Sequence, residues 1–226
     1  MRLTRGLPGV DPARIALWGS SSSGGHVLRL ASEDRRTRAV VLQVPEFGKG
    51  SRSTREELRA EKQQEHIPLG MLLGAAVRLV AAAVRDELRG RRGLPPHCIP
   101  VFALPGDLGA VIGPDSDRHL AQAVETGPTW RNEFAPRLFF HPPVYRPGTA
   151  ERVQAPLLVC VAEQDTETDP RRAAEIARAA PRGELLTYPV GHFEIYADPV
   201  QSRVLEDQTR FLPRHLRPGT EPTGGG

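Results

Sequence analysis

Ser21, Asp165 and His192 are a hydroxyl, a carboxyl and an imidazole, in that order along the chain. Brought together, such groups make a nucleophile, a proton carrier and an anchor for the carrier, which is the equipment for covalent attack on a carbonyl carbon. Ser21 lies in Gly19-Ser20-Ser21-Ser22-Ser23-Gly24-Gly25. A serine held on a sharp strand-to-helix turn needs small neighbours two residues to either side, because the backbone there is strained and crowded. Ser21 has Gly19 at −2 and Ser23 at +2. Taking Ser23 as the nucleophile would place Gly25 at +2 but Ser21 at −2. The register of the preceding strand favours Ser21, since the turn should begin at Gly19. The helix that follows points its first N–H groups at the site, so the backbone N–H of Ser22 is the expected donor to a developing oxyanion.

Asp165 sits in Ala162-Glu163-Gln164-Asp165, directly after an apolar run. A triad acid belongs at the C-terminal end of a sheet strand, on a loop that can reach the histidine. Glu163, Glu167 and Asp169 compete for that role, although Asp169 is better placed to cap a helix beginning at Pro170. His192 follows another strand-like run, with Gly191 before it and Phe193 after it, which suits a loop pinned to the core. His26, on the helix after the turn, is expected to pack or hydrogen-bond beneath the site. Taken singly, each of these features has a plainer reading: a flexible Ser/Gly loop, a solvated acidic loop, a structural histidine. Their order, each at the end of a successive strand, points to chemistry.

Four apolar runs read as the strands that would carry them: Ile15–Trp18, Ala39–Val44, Pro156–Ala162 and Glu184–Tyr188. Continuous apolar runs of this length separated by helical segments predict parallel strands buried on both faces. Helices are predicted over Gly24–Ser32, over Pro170–Ala180 with proline in its first turn, and over about Val200–Leu212. The alternation gives an α/β fold, a mostly parallel sheet with helices on both faces. The stretch from Glu46 to Thr149 breaks it. There a charged helix (Thr54–His66), an apolar helix (Leu69–Leu88, read as buried) and a third helix (Asp117–Glu125) surround a Pro/Gly-punctuated segment. An insertion of that size between sheet strands predicts a cap or lid. The expected division is therefore a discontinuous core of residues 1–45 and 150–216, a helical cap of residues 46–149, and a disordered tail of residues 217–226.

These residues resemble the α/β-hydrolase superfamily, and within it RIALWGSSSSGGHVLRLA is similar to bacterial esterase-like hydrolases with a G-x-S-x-S-G-G elbow. The resemblance implies acyl transfer through a serine ester, with Ser21 attacking, His192 moving the proton and Asp165 orienting the imidazole. The substrate class it implies is a small-molecule ester. A peptidase uses the same triad. In the superfamily four strands normally precede the nucleophile strand, whereas about fourteen residues precede Ile15 here. The resemblance then implies the C-terminal half of the core sheet, with a truncated or misassigned N-terminus. The oxyanion donor from the loop after the third family strand has no counterpart, a loss worth roughly 10²–10³ in rate. Such a chain could act instead as a weakly active or inactive remnant that binds a small molecule. It would also expose the nucleophile strand as an edge, open to pairing between copies of the chain.

Composition narrows the remaining classes. The chain has 226 residues, 39% hydrophobic and 25% charged, enough for one sizeable core. The net charge of +3 and pI near 9.2 come from arginine. Lysine appears only at positions 49 and 62, and acidic residues nearly balance the total, so no nucleic-acid partner is expected. No apolar run reaches bilayer length, and the N-terminus has no apolar leader, so neither a membrane nor secretion is expected and the cytoplasm is. Two cysteines make no disulfide framework, and Cys160 reads as a reduced core thiol. The histidines are scattered without ligand spacing, so neither metal nor cofactor is expected.

Overall fold

The structure, a computed structural model, describes residues 2–48, 69–113, 115–142 and 145–217. The chain divides into two compact units, Met1–Arg55 with Pro143–Gly226, and Glu56–Pro142.

In the first unit four strands form one sheet: β1 (Ala16–Ser20), β2 (Ala39–Gln43), β5 (Leu157–Ala162) and β6 (Gly183–Tyr188). Their order is β1-β2-β5-β6 and every pairing is parallel, with Ala16 opposite Ala39, Val40 opposite Leu157, and Leu157 opposite Gly183. The fold class is as expected, an α/β sheet with helices on both sides. A short helix, α1 (Arg2–Arg5), precedes it. Three longer helices cover it: α2 (Ser22–Glu33), α5 (Pro170–Ala179) and α6 (Val200–Leu216).

Side chains alternate across a strand with a period of two, and that alternation sorts the core into two layers. Val40, Leu42, Leu157, Val159 and Val161 join Val27 and Leu28 of α2 and Ile176 of α5 on one face. Ala39, Val41, Leu158, Cys160 and Ala162 join Val204 and Phe211 of α6 on the other. Every residue of β2 and β5 is buried. The expectation of burial on both faces fails for the outer strands. β6 is largely exposed, and Trp18 of β1 is 52% exposed. An outer strand has a neighbour on one side only, so its side chains meet solvent that a central strand excludes. Trp18 is still anchored: its Nε1 donates to Gln208 Oε1 (2.9 Å), and Gln208 Nε2 donates to Gln43 Oε1 (2.7 Å).

The second unit contains α3 (Leu69–Arg91), a two-stranded parallel pair of β3 (Phe102–Ala103) and β4 (Val111–Ile112), α4 (Ser116–Thr126), and a 3₁₀ turn at Pro136–Phe140. The helix expected over Thr54–His66 lies outside the described residues. α3 packs on the 3₁₀ turn through Asp86, which is fully buried. Arg137 donates to both oxygens of that carboxylate, from Nε and NH2 at 2.8 Å each, and His97 N adds a third bond at 2.8 Å. This grip holds Asp86 down at about 2. The expectation that α3 is buried is corrected: Ala82 and Ala83 are buried, but Val77, Val80, Val84 and Leu88 are exposed. A helix apolar on every side cannot bury all its faces against one short turn.

In the first unit, Phe47 and Ala150 belong to the core, and Tyr145 N donates to Phe47 O (3.0 Å). The tail expected over residues 217–226 falls outside the described residues from position 218. Among the described residues, no helix is long and apolar enough to cross a membrane. Cys160 is buried and free, and burial pushes its thiol up to about 11.

Candidate active site

All four strands run the same way, so their C-terminal ends share one end of the sheet, where the loops carrying Ser21, Asp165 and His192 emerge. β1 ends at Ser20 and α2 begins at Ser22, which leaves Ser21 alone to make the turn. It does so with φ 48° and ψ −125°. Among the described residues Ser21 and Val44 are the non-glycine positions with positive φ, and both lie at this end of the sheet. L-residues rarely adopt such a backbone, and it persists only where the surroundings hold it. Here they do. Ser21 N donates to Gln43 O (2.9 Å), and Ser21 O accepts from Gly24 N and Glu46 N (2.9 Å each).

The small residues around the turn have separate jobs. A Cβ on Gly19 would lie 2.8 Å from Val27 Cγ2 and 2.9 Å from Ser23 O. A Cβ on Gly24 would lie 2.4 Å from Pro45 Cβ, so glycine lets α2 approach the loop after β2. Ser23 fits at the +2 position because its hydroxyl turns back on the turn itself. Its Oγ accepts from Ser20 N (2.8 Å) and donates to Ser20 O (2.7 Å). That leaves Ser23 engaged. Ser21, by contrast, makes no side-chain cap bond to α2. Ser22 is the first residue of α2, so its N–H has no acceptor within the helix.

His192 Nδ1 and Asp165 Oδ2 are 2.8 Å apart, with the two side chains 5% and 1% exposed. Asp165 is held from behind. Its Oδ1 accepts from Glu167 N and Thr168 N, and its Oδ2 from Thr168 Oγ1, all at 2.8 Å. A carboxylate held so firmly fixes the imidazole that donates to it, leaving Nε2 as the free acceptor. Phe193 and Tyr196 meet the imidazole edge-on at 5.0 and 6.2 Å. The competing acid Asp169 is occupied as the N-cap of α5, accepting from Arg171 N and Arg172 N at 3.0 Å. Among the described residues no hydrogen bond closes the last link, from His192 to Ser21 Oγ; in serine hydrolases at rest that bond is often long and tightens around substrate.

His26 is exposed on α2, so the expectation that it packs beneath the site is corrected. Other residues there were not foreseen. Ser20 Oγ is hydrogen-bonded to Tyr196 OH and donates to Gln43 O (3.3 Å), tying the loop after His192 to the turn. Glu46 follows β2, and its Oε1 accepts from Gly48 N (2.9 Å). Burial pushes its carboxyl above the usual range, the nearby Asp165 and Glu167 push the same way, and His192 pulls it down. The sequence signal for Glu46 was its place just past Pro45, at the end of a buried strand. Among the described residues no three His, Cys, Asp or Glu side chains cluster as a metal site.

No model of a known protein family matches the chain. The solved α/β hydrolase GrgF from Penicillium sp. sh18 superposes on 95% of this chain and 68% of its own, with TM-score 0.56 and 18% identity. The chain therefore has the α/β-hydrolase fold. DcsB, solved in complex with its substrate analogue, superposes with TM-score 0.59 and 20% identity over 95% of this chain and 69% of its own. In sequence, the quorum-quenching protein AidA of Acinetobacter baumannii is 31% identical over 211 residues, which cover 93% of this chain and 64% of AidA. The chain thus spans about two thirds of the length of the proteins it matches.

Proposed function

We propose that this protein is an α/β hydrolase that cleaves carboxylic esters through a serine acyl-enzyme. The observation that carries the reading is the strained Ser21 turn at the same end of the sheet as a buried, hydrogen-bonded His192–Asp165 pair. Ser21 Oγ attacks the ester carbonyl carbon and passes its proton to His192 Nε2. Asp165 keeps the imidazole in the right tautomer and stabilises the imidazolium that forms. The charge that develops on the carbonyl oxygen meets the Ser22 N–H and the N-terminus of α2. The tetrahedral adduct collapses, the alkoxide leaves with the proton from His192, and water repeats the sequence to release the acid and restore Ser21. The name of the Acinetobacter relative supports a small diffusible substrate.

The test is turnover of a p-nitrophenyl ester series from acetate to octanoate. Wild type should hydrolyse at least one member well above background, and Ser21→Ala should lose about 10³-fold or more of that rate. A folded wild type with no turnover on any member, or a Ser21→Ala variant as active as wild type, contradicts the reading.

A further inference from the structure

The opposite end of the sheet carries a cavity of about 590 Å³, formed by the segments leading into β2, β5 and β6 and by the last turn of α6. Five guanidinium groups line it, from Arg35, Arg38, Arg182, Arg214 and Arg217. Arg214 is paired with Glu184 (3.2 Å). Among the described residues, the other four make no ion pair. Arg36, close by, differs in that both of its bonds go to Asp34, from Nε at 3.0 Å and Nη2 at 3.1 Å.

Two buried polar atoms in the same wall are also without partners. Thr37 is only 5% exposed, and its Oγ1 has no hydrogen bond. His215 Nε2 is buried and equally unpartnered, while its ring is set edge-on to Phe211 at 4.7 Å. Buried polar groups in folded proteins are nearly always paired, so a hydroxyl and an imidazole nitrogen left over beside unneutralised guanidiniums mark a place built for an acceptor. The local field agrees. Burial first, then Arg214 and Arg182, hold the His215 imidazole below its usual range, with Glu184 pulling the other way.

We propose that this cavity is a binding site for a small phosphorylated molecule, whose phosphate oxygens bridge the Arg38 and Arg182 guanidiniums and accept from Thr37 Oγ1. Four uncompensated positive charges call for a multiply charged anion, and the guanidinium fork matches phosphate oxygens two at a time. The volume falls in the range of small-molecule pockets and the surface is concave, which favours a compact ligand over a nucleic-acid strand. β5 alone, six residues long, sets this end of the sheet about 20 Å from the other. The site is therefore separate from Ser21 and does not depend on the ester reading.

Calorimetric titration with sodium tripolyphosphate at fixed ionic strength tests it, using wild type, the double variant Arg38→Ala/Arg182→Ala, Thr37→Val, and Arg92→Ala as a distant loss of charge. One saturable site is expected. Its affinity should fall at least tenfold in the double variant and several-fold in Thr37→Val, and stay unchanged in Arg92→Ala. In wild type the His215 ring proton resonance should shift along the same binding curve, a readout that needs no variant to fold. The proposal is overturned by absence of saturable binding, by equal weakening in Arg92→Ala, or by a His215 signal that stays still while tripolyphosphate binds. A short single-stranded oligonucleotide that binds the cavity more tightly than tripolyphosphate would also overturn it, in favour of a nucleic-acid backbone.

Discussion

At the scale of single residues, the candidate site rests on which polar groups are already occupied. Ser23 Oγ, Asp169 and Ser20 Oγ each have local partners, so the choice among several serines and acids narrows to Ser21 and Asp165. Asp165 does not touch the reacting atoms. In the proposed mechanism it acts through His192, and its effect should follow the charge on the carboxylate, not its volume. Asp165→Asn should keep the fold and the 2.8 Å contact but favour the wrong imidazole tautomer, lowering turnover of a p-nitrophenyl ester by about 10⁴. Circular dichroism beside the rate assay separates this from misfolding. The order Ser21, Asp165, His192 was legible because each residue follows a recognisable strand. Glu46 and Tyr196 were not, because their roles arise from loops that meet only in the folded chain; Tyr196 and Ser20 are 176 positions apart.

At the scale of elements, the turn works because α2 lies close against the loop after β2. Gly24 is where the two touch. In Gly24→Ala the added Cβ would collide with Pro45 Cβ at 2.4 Å and Pro45 Cα at 2.9 Å. The backbone would have to move, at a cost of about 1–3 kcal/mol, and the move would loosen the Glu46 N to Ser21 O bond. A lower urea midpoint together with slower ester turnover is the expected outcome; an unchanged midpoint would mean the loop yields freely. The four strands and α2, α5 and α6 were readable to within a few residues from apolar runs and from Pro170. The exposure of β1 and β6 was not, since a run of apolar residues does not say how many neighbours a strand has. β3 and β4, two residues each, are too short to leave a periodic signal.

At the scale of the whole molecule, a four-stranded sheet with two apolar layers and a second unit inserted between β2 and β5 together account for most of the described chain. The second unit has its own internal lock, the carboxylate of Asp86 held by Arg137 and His97 N. Asp86 has its folded value at about 2 against an ordinary 3.8. A depressed folded value means the stabilisation is complete above about pH 4 and is lost as pH falls toward 2. Asp86→Asn should therefore destabilise this unit by about 3 kcal/mol at neutral pH, and should flatten the acid limb of its stability curve over that window. Denaturation followed at pH 7 and pH 3 checks both. Equal acid sensitivity in wild type and variant would mean that Asp86 does not set the acid limb. The internal lock of the second unit was not visible in the sequence, because Asp86 and Arg137 are 51 positions apart.

Labelling with a fluorophosphonate asks whether Ser21 is an activated nucleophile. Intact mass should show one adduct on wild type, mapped by peptide sequencing to Ser21. The adduct should persist in Ser23→Ala and vanish in Ser21→Ala. A folded wild type that takes no label, or a label that follows Ser23 instead of Ser21, would mean that Ser21 is not the nucleophile.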